Sequence, residues 1–285
     1  MRTSLSAALV MALPAAAASQ QVSLRFHPPA GAQVRFVVET QLNTVVVGFP
    51  SLPDSSLIES TWRTVQTERV SEERGADRVV SETFDSSRVR ARVGDAPRAD
   101  ITIAGVEGLS GRWVINDKLE TVPLATGRGG DSALVDALTA TQGGFALAFP
   151  DTVSVGGEWT SRFRFPLGAH LSATGKVSAY GSIVGRATAK VDSLVARQTD
   201  TLVYLSVRAI ADPTPIPLMA EGGTGTGTFS GGFAAALVWS TGWNAVVSAI
   251  TNARVAGAVK VSRSDGRPVN GALSLTIATR QQVRW

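Results

Sequence analysis

The 285-residue sequence predicts a mainly β protein: an antiparallel, strongly curved sheet, either a half-barrel or two related meanders, with one short midchain helix. Three observations predict it. Val, Thr, Ser and Gly are abundant beside Ala, and these four residues suit strands and turns better than helices. Apolar and polar residues alternate with period two, as in Val34, Phe36 and Val38 against Arg35 and Glu39, the pattern of a strand with one buried face. Turn pairs such as Asn116-Asp117, Thr241-Gly242 and Asp265-Gly266 separate the alternating runs, and such pairs tolerate the positive φ of tight hairpins.

The chain divides into four parts. Residues 1–18 read as a signal peptide: Arg2 supplies a positive charge, Leu5 to Leu13 a short apolar run, and Ala16-Ala17-Ala18 a cleavage site after Ala18. That run falls short of the roughly 20 residues needed to span a bilayer. Residues 19–130 form a first β half. Its strands are expected from Val34 through Val47, Thr61 to Glu72, Arg78 to Phe84 with Ser87 to Val93 continuing, Ile101 to Ala104, and Gly111 to Ile115. The last of these is expected to turn through Asn116-Asp117 into Lys118 to Val122. A loop is expected over Gly48 to Ser56, where Pro50 and Pro53 punctuate the chain.

Residues 131–149 are a helical connection. Leu134, Val135 and Leu138 share one face at helical spacing, with Asp131 or Ser132 as N-cap and Gly143 as C-cap. Residues 150–285 form a second β half, with strands at Glu158 to Phe165, Gly175 to Gly181, Ser182 to Val195 and Thr201 to Ala211. Pro213, Pro215 and Pro217 are expected to break the sheet, and the glycine-rich run Gly222 to Gly232 to be a flexible loop or a strand that another backbone or a ligand approaches closely. Strands follow at Ala234 to Trp239, Trp243 to Ala249, Ala253 to Ser262 and Leu273 to Ile277. The halves show a loose correspondence. Trp62 to Phe84 and Arg186 to Val207 each run strand, polar turn, strand in similar lengths.

Several function classes lose support. Lys plus Arg total 27 against 23 acids, with no clustered bases interleaved with aromatics, so no nucleic-acid partner is expected. No later segment reaches 18 apolar residues, so no transmembrane helix is expected. There are no cysteines, hence no disulfide and no lipidated cysteine. The two histidines, His27 beside Pro28-Pro29 and His170 after Gly168-Ala169, lie far apart in sequence, whereas zinc wants three or four close ligands. Gly-x-Ser-x-Gly is absent. The acids Glu72, Glu73, Asp77 and Asp85 read as solvated, and Gly222 to Gly227 lacks the Lys-Ser/Thr of a phosphate loop. Neither enzymatic activity, nor a metal, nor a cofactor is therefore expected. The aromatic residues are the remaining candidates. Trp62, Trp113, Trp159, Trp239 and Trp243 each lie in or beside a strand and would line a cavity if the sheet encloses one.

The opening Leu24-Arg25-Phe26 with Gly31-Ala32-Gln33-Val34-Arg35-Phe36, and the later Phe149-Pro150 with Val153-Ser154-Val155-Gly156-Gly157-Glu158-Trp159-Thr160, resemble an uncharacterised family of exported bacterial proteins built as a two-part β-repeat. More distantly, the layout resembles the half-barrels of periplasmic lipoprotein carriers, which hold acyl chains on a concave apolar face. What these resemblances imply is a periplasmic or secreted protein that binds a hydrophobic molecule, a lipid or an envelope protein through a β face. An outer-membrane β-barrel is the alternative, on the strength of the alternating strands; a hydrolase with an unrecognised site is the second alternative.

Overall fold

The computed structural model describes residues 21–50, 56–102, 106–117, 121–126, 146–168, 177–179, 181–220 and 222–284. These residues form sixteen strands: β1 (Gln21–Ser23), β2 (Gln33–Val47), β3 (Ser56–Arg74), β4 (Asp77–Val93), β5 (Ala99–Thr102), β6 (Ser110–Ile115), β7 (Thr121–Thr126), β8 (Ala146–Leu147), β9 (Thr152–Ser154), β10 (Glu158–Phe165), β11 (Val177–Ala179), β12 (Ile183–Arg197), β13 (Asp200–Ala220), β14 (Gly223–Ser240), β15 (Ala245–Ser262) and β16 (Pro268–Arg284). Fourteen belong to one antiparallel sheet whose main path is β7-β6-β4-β3-β2-β16-β15-β14-β13-β12-β10-β8, with β5 on β4 and β11 on β13. Early and late strands therefore meet side by side where β2 pairs with β16, from Ala272↔Val47 to Arg284↔Arg35. The expected signal peptide and the expected helix at 132–138 lie outside the described residues.

Alternation in the sequence becomes alternation in burial. Along β2, Phe36, Val38, Leu42 and Val46 are buried while Arg35, Glu39, Gln41 and Asn43 are exposed. β12 repeats the pattern with Ile183, Ala187, Ala189 and Val191 inside and Arg186, Thr188 and Lys190 outside. The outer face mixes polar residues with exposed apolar ones such as Ile210 and Ile250, and it carries exposed ion pairs such as Arg63–Glu39 at 3.2 Å. Such pairs add little stability, so folding rests on the inner face.

Ring contacts measure the curvature of the sheet. Phe149 follows β8 and Trp239 sits on β14, four strand places along the path, yet their ring centroids are 5.8 Å apart. In a flat sheet four places would span about 19 Å. Phe163 of β10 likewise meets Phe233 of β14 at 5.0 Å. The sheet therefore curls tightly around its apolar face.

The described strands do not close into a ring. Instead, residues 21–29 run across one end of the trough as a strap. β1 pairs with β9, and Leu24 N–H donates to Asp151 O at 3.4 Å, Phe26 N–H to Asp117 O at 2.9 Å and His27 N–H to Asn244 O at 3.2 Å. Asp151 lies beyond β8 and Asp117 beyond β6, near opposite ends of the strand path. Two residues of chain span at most about 7 Å, so those carbonyls lie within roughly 14 Å of each other. Val22, Leu24 and Phe26 face the core.

Arg78 anchors the strap. Its side chain is only 1% exposed, and its guanidinium donates to Pro28 O at 3.1 Å, Gly75 O at 3.2 Å and Asp77 O at 3.0 Å. It also sits against the His27 ring, 2.6 Å from Nε2.

Three expectations are corrected, and one that offered two readings is decided. Pro213, Pro215 and Pro217 do not break the sheet: β13 continues to Ala220, with an irregularity only between Ala211 and Thr214. Their spacing of two puts all three ring nitrogens on one edge of the strand, and pairing with β12 stops at Ala211. The missing donors thus fall where no β12 partner remains, and pairing with β14 runs on from Thr214 to Ala220. Of the two readings of Gly222 to Gly232, the strand holds: Gly223 to Gly232 open β14, after Gly222 in the turn. A side chain at Gly223, Gly225 or Gly231 would run into the β15 backbone, which agrees with the close-approach reading. The expected break between Ala249 and Ala253 is absent, since β15 is continuous. Finally, Asn116-Asp117 begins a five-residue connection, with Ile115 opposite Thr121.

Interior glycines also explain where the aromatics fit. A Cβ at Gly111 would overlap the Trp113 ring, at Gly185 the Phe163 ring, at Gly227 or Gly257 the Phe229 ring, and at Gly271 the Phe49 ring. Rings occupy the space that strand glycines leave, a packing that recovers the burial a glycine forfeits.

Candidate functional site

At the strap end of the trough the inner face leaves a cavity of about 160 Å³. Val34 and Phe36 of β2, Val70 of β3, Val80 of β4 and Ile115 of β6 form one wall. The start of β15, with Val246, and Trp243 in the turn before it form another, and Phe26 and Pro28 of the strap cover the end. An engineered apolar cavity of about 150 Å³ holds benzene or xenon. A space of this size therefore suits one ring or a short alkyl segment.

The cavity wall carries one acid. Glu68 lies on the same face of β3 as Gln66 and Val70, two residues to either side. Burial pushes its carboxyl up to about 7, against a hydrogen bond from Gln66 that favours the charged form. That bond runs from Gln66 Nε2 to Glu68 Oε1 at 3.1 Å. Gln66 itself is 1% exposed, and its Oε1 accepts no hydrogen bond among the described residues. Directly opposite the half-buried Glu68 in the β3–β4 register stands the buried Glu82. Glu68 has no ion-pair partner among the described residues. The cavity thus joins an apolar lining to one acid, Glu68, one base, Arg69, and the amide of Gln281, while Gln66 and Glu82 do not line it.

The turn that presents Trp243 is held by Asp200. Ser240 Oγ–H donates to Asp200 Oδ2 at 2.6 Å, Gly242 N–H to Oδ1 at 2.7 Å and Thr241 Oγ1–H to Oδ1 at 3.2 Å. Burial pushes the Asp200 carboxyl up, but these bonds with one from Thr201 outweigh it and hold it below its ordinary value. Trp243 N–H donates to Ser240 Oγ at 3.1 Å, and Asn244 adopts φ 49° as the chain turns.

Of the five tryptophans expected to line a cavity, the structure brings Trp243 alone to this one. Trp239 is fully buried, its ring 5.8 Å from Phe149, and its indole N–H finds no acceptor among the described residues. Trp159 also packs on Phe149 at 5.8 Å and donates to Ala148 O at 3.1 Å. Trp62 and Trp113 pack against a separate small core of Phe84, Val106 and Leu109.

The polar residues weighed from sequence take structural places. Glu72 pairs with Arg74 and Arg112, and Asp85 with Arg35. His27 lies on Arg78, and His170 is outside the described residues. Among the described residues no group of three or more His, Asp or Glu side chains is placed to hold a metal ion. No described helix is long and apolar enough to cross a membrane.

Sequence reasoning missed Glu68, Gln66 and Glu82. The available signal was parity: Gln66, Glu68 and Val70 fall in one period-two register.

No family model matches the chain, and no curated protein matches it. Among solved structures, an outer membrane channel from Pseudomonas putida F1 is 12% identical over 91% of this chain and 98% of that chain, with a TM-score of 0.31. A mutant of the Rh. blastica porin is 9% identical over 89% and 100%, with a TM-score of 0.20. Likeness at this level is no basis for assigning a fold or a function.

Proposed function

We propose that the chain is a non-enzymatic binding protein of the bacterial envelope or exterior, which holds a small hydrophobic molecule inside its curved sheet. The observation that carries this reading is the cavity of about 160 Å³ bounded by Phe26, Val34, Phe36, Val80, Val246 and Trp243. Pockets that bind small molecules are concave, mostly apolar and provided with few polar groups, and this one has that makeup. The signal-like residues 1–18 support export. The outer face mixes exposed apolar residues such as Val184, Ile210 and Ile250 with exposed Glu39, Arg63, Arg88, Arg186, Arg208 and Arg254; these charges favour a water-facing sheet over the membrane barrel, because a lipid-facing strand carries apolar residues there.

Calorimetric titration of the purified chain with ethylbenzene tests the reading. Saturable one-to-one binding is expected, and Val34→Trp, which fills the cavity, abolishes it while the thermal transition stays cooperative. Absence of binding, or binding unchanged in Val34→Trp, overturns it.

A further inference from the structure

We propose that the outer face of β10, β12 and β13 docks on an anionic phospholipid surface. Arg162, Arg164, Arg186 and Arg208 take the lipid phosphates, and Val184 and Ile210 press among the headgroups. This goes beyond the cavity reading above and does not rest on it.

Strand register assembles the patch. Arg162 stands directly opposite Arg186, and Arg164 opposite Val184. Arg186 in turn stands opposite Ile210, and Arg208 lies two residues from Ile210 on the same face of β13. All six residues are exposed. With strands about 4.8 Å apart and same-face residues about 6.7 Å apart, the patch spans roughly 10 Å by 13 Å.

Charge and exposed apolar surface coincide there. Elsewhere on the outer face arginines are neutralised: Arg35 by Asp85 at 3.1 Å, Arg63 by Glu39 at 3.2 Å, Arg90 by Asp100 at 2.7 Å, and Arg92 by Glu59. None of Arg162, Arg164, Arg186 and Arg208 has an acid partner among the described residues. The flanking charges are Lys190 with Glu158 at 3.9 Å, and Asp212 in the irregular stretch after Ala211. Like charges directly opposite each other weaken an antiparallel pair, so Arg162 against Arg186 carries a cost that a bound anion removes. The guanidinium fork fits a phosphate. Ile210 is 74% exposed, the highest value among the described large apolar residues, and Val184 is 45% exposed. A second copy of the chain is a poor partner, because the outer-face acids Glu39, Glu59, Asp85 and Asp100 already hold arginines. Nucleic acid would take the arginines and leave Val184 and Ile210 in water. An anionic headgroup layer accepts both kinds of side chain.

Co-sedimentation of the purified protein with equimolar phosphatidylglycerol–phosphatidylcholine vesicles, and with phosphatidylcholine vesicles, tests the proposal. At about 0.1 M salt the anionic vesicles are expected to bind at least about tenfold more tightly, and at about 1 M salt most of that preference is lost. Arg162→Gln with Arg186→Gln is expected to weaken anionic-vesicle binding about 25-fold, at about fivefold per arginine. Its unfolding temperature is expected to be no lower than that of the wild type, since the like-charged pair is gone. Ile210→Ser is expected to weaken binding about tenfold. Arg90→Gln, which removes an arginine already paired with Asp100, is expected to change it less than about twofold. The proposal is overturned if phosphatidylcholine vesicles bind equally, if neither vesicle binds, if salt leaves binding unchanged, or if the double arginine variant binds as the wild type does. It is also overturned if a short DNA duplex binds as tightly as the anionic vesicles and Ile210→Ser leaves vesicle binding unchanged, the behaviour of a site for a free polyanion.

Discussion

Replacing Glu68 with Gln should make the protein more stable at neutral pH. The wild-type carboxyl is raised from 4.5 to about 7 in the fold, so the folded state holds its proton more tightly than the unfolded chain does. Stability tied to that proton is fully present below pH 4.5 and is lost as pH rises toward 7. At roughly 1.4 kcal/mol per unit, the loss is about 3 kcal/mol. Glu68→Gln keeps a neutral side chain of the same shape at every pH. The variant should therefore match wild type near pH 4 and exceed it by about 3 kcal/mol at pH 8. Urea unfolding of both proteins at half-unit steps from pH 4 to 8 measures this directly, because titrations shared by both cancel in the difference. A difference that stays flat across that range would refute the burial of an ionisable group in this cavity. A variant less stable than wild type at pH 8 would refute it as well.

Two further substitutions probe the parts that frame the cavity. Arg78→Met should cost about 3 kcal/mol or more, because the carbonyls of Pro28, Gly75 and Asp77 lose their donor. Hydrogen exchange should then speed up at Leu24 and Phe26, whose amides tie the strap to the sheet; unchanged exchange there would show that Arg78 does not hold the strap. Trp239→Phe should cost under about 1 kcal/mol, well below the usual penalty for shrinking a fully buried aromatic, since it also deletes an indole N–H without an acceptor. A loss above about 3 kcal/mol in thermal or urea unfolding would mean that the N–H is satisfied.

The elements legible in the sequence were those governed by local pattern. β10 was expected at Glu158 to Phe165 and is found there. The alternation at Val34, Phe36 and Val38 led directly to β2, because period two is a property of the strand itself. The hairpin at Asp265-Gly266 also follows from local chemistry: Gly266 takes φ +78°, and Asp265 Oδ1 accepts from Arg267 N–H at 3.0 Å. What escaped depended on neighbours. Three prolines read as a sheet breaker because their cost depends on which strand lies on the affected edge, and β12 had already ended. Gly223 and Gly225 read equally as loop or strand until the β15 backbone beside them was known.

The candidate site was the least legible part. Tryptophan was the reasonable marker for a cavity wall, but which indoles reach a cavity depends on curvature, and the tight curl between β8 and β14 buries Trp239 and packs Trp159 on Phe149. Acids were read as solvated, as most are, and Glu72 and Asp85 are in fact paired on the surface. Glu68 departs from that rule because β2, β4 and the strap close over its face of β3. Arg78 gave no signal at all, since most of its partners are supplied by the strap fifty residues earlier, through Pro28 O and the His27 ring, and by carbonyls of the adjacent turn, with Glu73 at 3.4 Å.

A crystal of the protein pressurised with xenon tests the central claim most directly, because xenon enters dry apolar cavities of this volume. The account predicts a strong anomalous peak between Phe36, Val80, Val246 and Trp243. Ordered water throughout that space and no xenon would contradict it.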